Sequence, residues 1–221
     1  MIVLEGLLQK IRHAVNEAAT AGDDFSTMVD EALVDFVGLA APLVVLQAPA
    51  VCQVVDSVTY SKNDAACFFT RPDGMTALRI TVPEDFCRFI SLKAESWVKS
   101  VSAIYADTHP SFQNQYSPVP GIGAGPYSPL VYLSSELDEE GMLLMQIIAH
   151  AMSKPEACVL SYVKNPEVSD TAVRMDSRLE NALAYYTAAF YLQSIDDVTG
   201  SQAALNTSKS LIETLANTLL S

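Results

Sequence analysis

Apolar residues recur every three or four positions at Leu4, Leu7, Leu8, Ile11, Val15 and Ala18, with Glu5, Gln9, Lys10, Arg12 and Asn16 between them. That spacing predicts an amphipathic helix over residues 3–20, ended by Ala21-Gly22. Asp23 and Asp24 are natural N-caps for a second helix. Its face holds Phe25, Val29, Ala32, Leu33, Phe36 and Val37, and it is expected to end within 38–42, where Gly38 and Pro42 stand. So short a connection predicts an antiparallel pair.

The period then shortens. Residues 51–60 read as a strand followed by a turn at 61–64. Segments 66–70 and 75–82 flank Arg71-Pro72-Asp73-Gly74, a hairpin turn. Residues 86–92 and 96–104, which carry the single Trp97, read as extended, as do 130–133, 142–149 and 157–163. Short hairpin-linked strands predict an antiparallel sheet. Helical spacing returns with Met175, Leu179, Ala182, Leu183, Tyr186, Ala189, Phe190 and Leu192, capped by Ser169-Asp170 and ended by Asp196-Asp197 through Gly200. A last helix from about Ser201 carries Leu205, Leu211, Ile212, Leu215 and Leu219. The expected fold class is α+β: a four-helix bundle built from both chain ends, with a β-rich antiparallel insertion in the middle. Residues 1–50 and 168–221 are assigned to the bundle and 51–167 to the insertion.

Composition narrows the function classes. Half of the 221 residues are hydrophobic and 18% are charged, so the chain folds. Thirteen basic against 26 acidic side chains leave a net charge of −13. That balance excludes a protein that grips nucleic acid through phosphates or docks on anionic lipid. Met1 to Glu5 lacks the basic start of a signal peptide. Residues 36–55 carry no charge and have the length of a membrane span, but Pro42, Pro49, Gln47 and Gln53 interrupt them, so a soluble protein with no membrane partner is expected. Cys52, Cys67, Cys87 and Cys158 lie 15, 20 and 71 residues apart and far from His13, His109 and His150. Free core thiols follow, with no metal and no cofactor, as suits assembly in a reducing cytoplasm.

Candidate chemistry is thin. Gly121-Ile-Gly-Ala-Gly125 lacks the Lys-Ser/Thr and the strand-to-helix context of a phosphate loop. The acids of 136–140 have no ligand spacing and read as a solvated turn. His150 could be paired with a serine as a hydrolase, but no Gly-x-Ser-x-Gly elbow accompanies it; a hydrogen-bonded core or interface histidine is the plainer reading. Tyr185, Tyr186, Phe190 and Tyr191 form an aromatic stripe of the kind helix cores use.

The most distinctive stretch is 108–135. It has no charge, five of the eleven prolines and three of the nine glycines. Such a stretch is expected to be an extended arm laid across another surface, with Tyr116, Pro118, Pro120, Ile122, Pro126, Tyr127 and Pro129 as its subunit-interface residues. Three segments resemble a known family. Residues 82–97, opening Pro83-Glu84-Asp85-Phe86 and ending at Trp97, form the first. Ser111-Phe112-Gln113-Asn114-Gln115-Tyr116 with Pro126-Tyr127-Ser128-Pro129-Leu130-Val131-Tyr132 form the second, and the small and aromatic helix around 181–190 the third. They are similar to the head-to-tail adaptor and tail ring proteins of short-tailed, crAss-like bacteriophages, departing from their pattern at Cys87 and Ser91. The resemblance implies a non-enzymatic virion protein of the head-to-tail connector or tail barrel, assembled in the host cytoplasm. It also implies a homo-oligomeric ring of twelve copies, stacked on the portal and adjacent tail ring proteins, with genome DNA passing through the lumen without specific binding. An acidic lumen would let the duplex slide. The alternatives are a soluble acidic enzyme, such as a hydrolase using His150, and an acidic module that binds a basic partner.

Overall fold

The computed structural model describes residues 1–19, 30–64, 67–70, 74, 76–110, 112, 127–137, 143–152 and 154–220. The chain is α+β and divides into two units, Met1–Val54 with Lys164–Ser221, and Val55–Val163.

The first unit contains four helices among the described residues: α1 (Leu4–Ala18), α2 (Asp30–Gln47), α3 (Glu180–Ser194) and α4 (Val198–Leu220). It also holds a two-stranded ladder, β1 (Ile2–Val3) against β10 (Ala172–Val173), in the register Ile2↔Val173. The helices do not form the four-helix bundle expected from the two chain ends. A bundle needs each helix to present one stripe to a shared core. Here α3 is the hub: α1, α2 and α4 each pack on it, while α1 and α2 barely touch. The reason lies in α3 itself. Its buried residues Ala182, Leu183, Ala184, Thr187, Ala188, Ala189 and Leu192 run right round the helix, so it must be enclosed rather than laid beside a partner. Polar links assist. Lys10 pairs with Glu180 at 2.8 Å, the Tyr185 hydroxyl donates to Glu17, and Ser208 Oγ donates to the Ala182 carbonyl at 2.7 Å.

Several expected boundaries move. Helix α2 does not stop within 38–42 but runs through Pro42 to Gln47, because burial of Val44 and Val45 outweighs the hydrogen bond that Pro42 removes. Its last carbonyls are met by Gln53, whose Nε2 donates to Val45 and Ala48 at 3.0 and 2.8 Å. A 3-10 turn at Ala50–Cys52 therefore replaces the start of the expected strand. The caps placed at Asp23 and Asp24 lie outside the described residues. Ser169 and Asp170 cap no helix: Ser169 bonds both the N–H and the carbonyl of Ala172, which turns the chain into β10. The turn before α3, Ser177–Leu179, is capped by Asp176, which accepts from the Arg178 N–H at 2.9 Å. Helix α4 starts earlier than expected because Asp197 accepts from the Gly200 N–H at 2.9 Å, after Asp196 takes a positive φ of 62°.

The second unit holds the main sheets. Strand β2 (Val55–Tyr60) pairs antiparallel with β9 (Cys158–Lys164) from Val55↔Val163 to Tyr60↔Cys158, and β5 (Phe86–Ala94) lies on the other side of β9. The second sheet has the order β3-β4-β8-β7-β6. Its members are β3 (Phe68–Thr70), β4 (Thr76–Thr81), β6 (Tyr105–Ala106), β7 (Val131–Leu137) and β8 (Leu143–Met152). The hairpin expected around Gly74 is present as β3 and β4, and Gly74 takes the positive φ of 81° that glycine tolerates. The expected all-antiparallel insertion is corrected at one edge, where β6 runs parallel to β7. Residues 96–104 are not a strand; only Val101 bridges, to Leu92. The intervening turn is set by Trp97, 1% exposed in the core with Leu92 and Leu160, and by buried Glu156, which accepts from the N–H and hydroxyl of Ser96.

Gly200 offers a direct check on the helical unit. A Cβ there would lie 2.7 Å from the Ala18 carbonyl oxygen and 2.5 Å from Asp197 Oδ2. Alanine favours a helix by about 1 kcal/mol over glycine, but overpacking against a fixed backbone costs about 1–3 kcal/mol. Gly200→Ala is therefore expected to lower stability by up to about 2 kcal/mol, read as a lower urea midpoint at unchanged slope.

Candidate interface at the edge of the five-stranded sheet

Residues 107–130 connect two strands that run parallel side by side, and parallel neighbours require a crossover rather than a hairpin. The two stems are tied together where they leave the sheet. Tyr105 pairs with Tyr132 and Ala106 with Leu133, the Asp107 N–H donates to the Leu133 carbonyl at 3.2 Å, and Ser134 Oγ donates to Asp107 Oδ2 at 2.8 Å. Four rings gather over this edge. Tyr105 lies 4.8 Å from His109 and 6.2 Å from Tyr132, and Phe112 meets Tyr132 edge-on at 5.0 Å. Tyr132 is fully buried, whereas Tyr105 is partly exposed. The sequence pattern did not mark this anchoring cluster, although Tyr105 precedes the uncharged stretch and Phe112 and Tyr132 stand near its two ends.

Of the expected interface residues, Tyr127 is 83% exposed and Pro129 is buried. Tyr116, Pro118, Pro120, Ile122 and Pro126 lie outside the described residues, as does the Gly121–Gly125 loop. The structure thus brings the two ends of the 108–135 stretch to one sheet edge and places Tyr127 at its surface.

The other candidates are dispersed. His150 belongs by its backbone to β8, and His109 stands against Tyr105. Among the described residues no three His, Cys, Asp or Glu side chains are grouped to hold a metal. A cleft of about 380 Å³ in the helical unit is lined by Leu4, Leu8 and Val34 together with Asp30, Glu31, Asp35 and Asp170. Asp30 is already paired with Arg12. Such a cleft attracts cations but presents no nucleophile. In the aromatic stripe of α3, Tyr186 meets Phe190 at 5.6 Å and Tyr191 meets Phe36 of α2 at 6.4 Å. These contacts are packing. Among the described residues no helix is long and apolar enough to cross a membrane.

All four cysteines are free thiols; Cys52, Cys67 and Cys158 are buried and Cys87 is half-buried. Burial pushes the Cys158 thiol up to about 12, with Cys67, Glu156 and Asp64 adding to the effect. Burial pushes Cys67 up to about 11, helped by Asp64, whose carboxyl accepts its S–H. Burial likewise lifts Tyr162 to about 12, together with the bond from its hydroxyl to Asp85 at 2.8 Å.

No protein-family model matches the chain, and no curated protein is significantly similar to it.

The thiols give a pH prediction. A group held neutral in the fold stabilises it fully below its unfolded pKa, and that contribution is lost as pH rises through the folded value. Unfolded cysteine ionises near 9, so the melting temperature is expected to hold steady from pH 7 to 8.5 and to fall from about 9 upward. Cys158→Ala should flatten that alkaline fall while lowering stability at pH 7. In parallel, a thiol reagent at pH 8 should label half-buried Cys87 of the native protein first, although burial pushes its thiol up too, and the other three only after denaturation.

Proposed function

We propose that the protein is a non-enzymatic virion subunit that forms a ring of the head-to-tail connector or tail barrel of a short-tailed phage. The observation that carries the reading is the connection between β6 and β7. Residues 108–135 carry no charge in a chain of net charge −13, and both ends of that connection are anchored at one sheet edge. An uncharged, proline-rich connection is suited to lie against another apolar surface, which a neighbouring subunit supplies. The resemblance of residues 82–97, 111–116 and 126–132 to adaptor and tail ring proteins supports the same reading, as does the β-rich unit inserted between the chain ends. The corrected helical arrangement removes the bundle from that support. In this reading twelve copies close the ring, the portal and a further tail ring are its neighbours, and genome DNA passes through a lumen that does not hold it.

Electron microscopy of the purified full chain, negatively stained, is expected to show rings, with a mass near twelve subunits by light scattering. Replacing residues 117–126 with a Gly-Ser linker of equal length should leave the circular dichroism spectrum unchanged and abolish the rings. Wild-type protein that stays strictly monomeric at high concentration overturns the proposal. Duplex DNA provides a second check. A clamp on six to ten phosphates loses ~10³–10⁵-fold in affinity between 50 and 200 mM salt. The ring is expected to bind duplex weakly and with no such slope; tight, salt-sensitive binding contradicts a sliding channel.

A further inference from the structure

Helix α2 is apolar on two faces. Leu33, Val37, Ala40, Ala41, Val44 and Val45 are buried in the helical unit. On the other face Leu39, Leu43 and Leu46 are 60%, 36% and 39% exposed. Ala32 extends that face, and Phe36, half-buried edge-on against Tyr191 of α3, borders it, so the positions follow an alternation of four and three residues, 32–36–39–43–46. That alternation is the seam by which one helix sets its side chains between those of another. At 1.5 Å per residue it runs for about 21 Å. The seam opens beside Asp35, and no charged residue follows until Asp56.

We propose that this outer face of α2 docks on a second copy of the same chain. Charge selects the occupant. Two molecules of net charge −13 repel wherever their acids face each other, and they approach at least electrostatic cost where charge is absent. A basic partner would be drawn instead to the acids around the cleft between α1 and α2, where Asp30, Glu31, Asp35 and Asp170 stand. Area sets the extent. A helix face of this length offers a few hundred Å², the range in which exposed apolar patches mark interaction sites, but less than the roughly 800 Å² per partner of a standard interface. The contact must therefore take in flanking surface. Val51 and Val54, 64% and 49% exposed, lie in the segment that Gln53 ties to the end of α2. This inference does not require the virion reading, since the same face serves a dimer or a ring.

Sedimentation equilibrium of the full chain from 1 to 100 µM tests it. The wild type is expected to self-associate, and the association should hold or tighten when salt rises from 0.05 to 0.5 M, because screening relieves like-charge repulsion. Leu43→Glu should weaken association ~100-fold, the scale of a buried unpaired charge, with the thermal midpoint kept. Leu39→Gln is the milder variant should Leu43→Glu unfold. Val98→Glu, at a position 66% exposed in the other unit, should change nothing. A wild type monomeric at 100 µM, or a mass unmoved by Leu43→Glu and Leu39→Gln, overturns the proposal; so does an association that weakens as salt rises. A dimer dispersed by Leu43→Glu upholds it and removes the twelve-copy ring, whereas a ring indifferent to Leu43→Glu upholds only the ring.

Discussion

Burial of helix α3 is the constraint on which the helical unit depends. A helix with Leu183, Thr187, Ala188 and Leu192 buried round its circumference cannot sit at a surface. It needs neighbours on several sides, and α1, α2 and α4 supply them. Because α3 and α4 come from the C-terminal part of the chain and α1 and α2 from the N-terminal part, enclosing α3 brings two distant segments together. The small residues of α3 let the neighbours approach closely, and Gly200 extends the same economy to the contact between the start of α4 and the end of α1. The ion pairs between helices lie at the surface, where such pairs contribute at most about 1 kcal/mol each.

Closing that unit turns residues 55–163 into an insertion, and the insertion solves the matching problem of keeping its own ends adjacent. Its first and last residues, Val55 and Val163, face each other on the β2–β9 ladder, and the Lys164 N–H donates to the Val54 carbonyl at 2.9 Å. Two chain crossings held side by side by backbone hydrogen bonds reduce the loop-closure entropy of a long excursion to that of a short one. Inside the insertion the central strand β8 is buried at four consecutive positions, Gln146 to Ala149, so both of its faces are covered.

The parallel β6–β7 pair ties the two ends of the 107–130 connection to one sheet edge. Its rings and the Asp107–Ser134 bond hold the two stems together. The pair fixes both ends of a long uncharged segment. It also places Tyr127 in solvent while Pro129, two residues on, is buried.

Local chemistry alone determined a good deal of this protein. The three-and-four spacing of Leu4 to Val15 marks α1, the apolar runs mark β7, β8 and β9, and the glycine turn before Thr76 marks the β3–β4 hairpin. In each of these the deciding interactions lie within a few residues. The absence of charge from 108–135 was equally plain, so the candidate interface was legible as a stretch of sequence. Tertiary structure decided the rest. An apolar stripe says that a helix must be covered but not by which partner, so the bundle expected from four stripes gave way to packing around α3. Pro42 reads as a stop until the burial of Val44 and Val45 is known. The parallel edge strand depends on Tyr105 meeting Tyr132 across 27 residues. The exposure of Leu39, Leu43 and Leu46 shows only once α3 has taken the other face of α2. Each of these turns on contacts distant in sequence, whose free energy no local window contains.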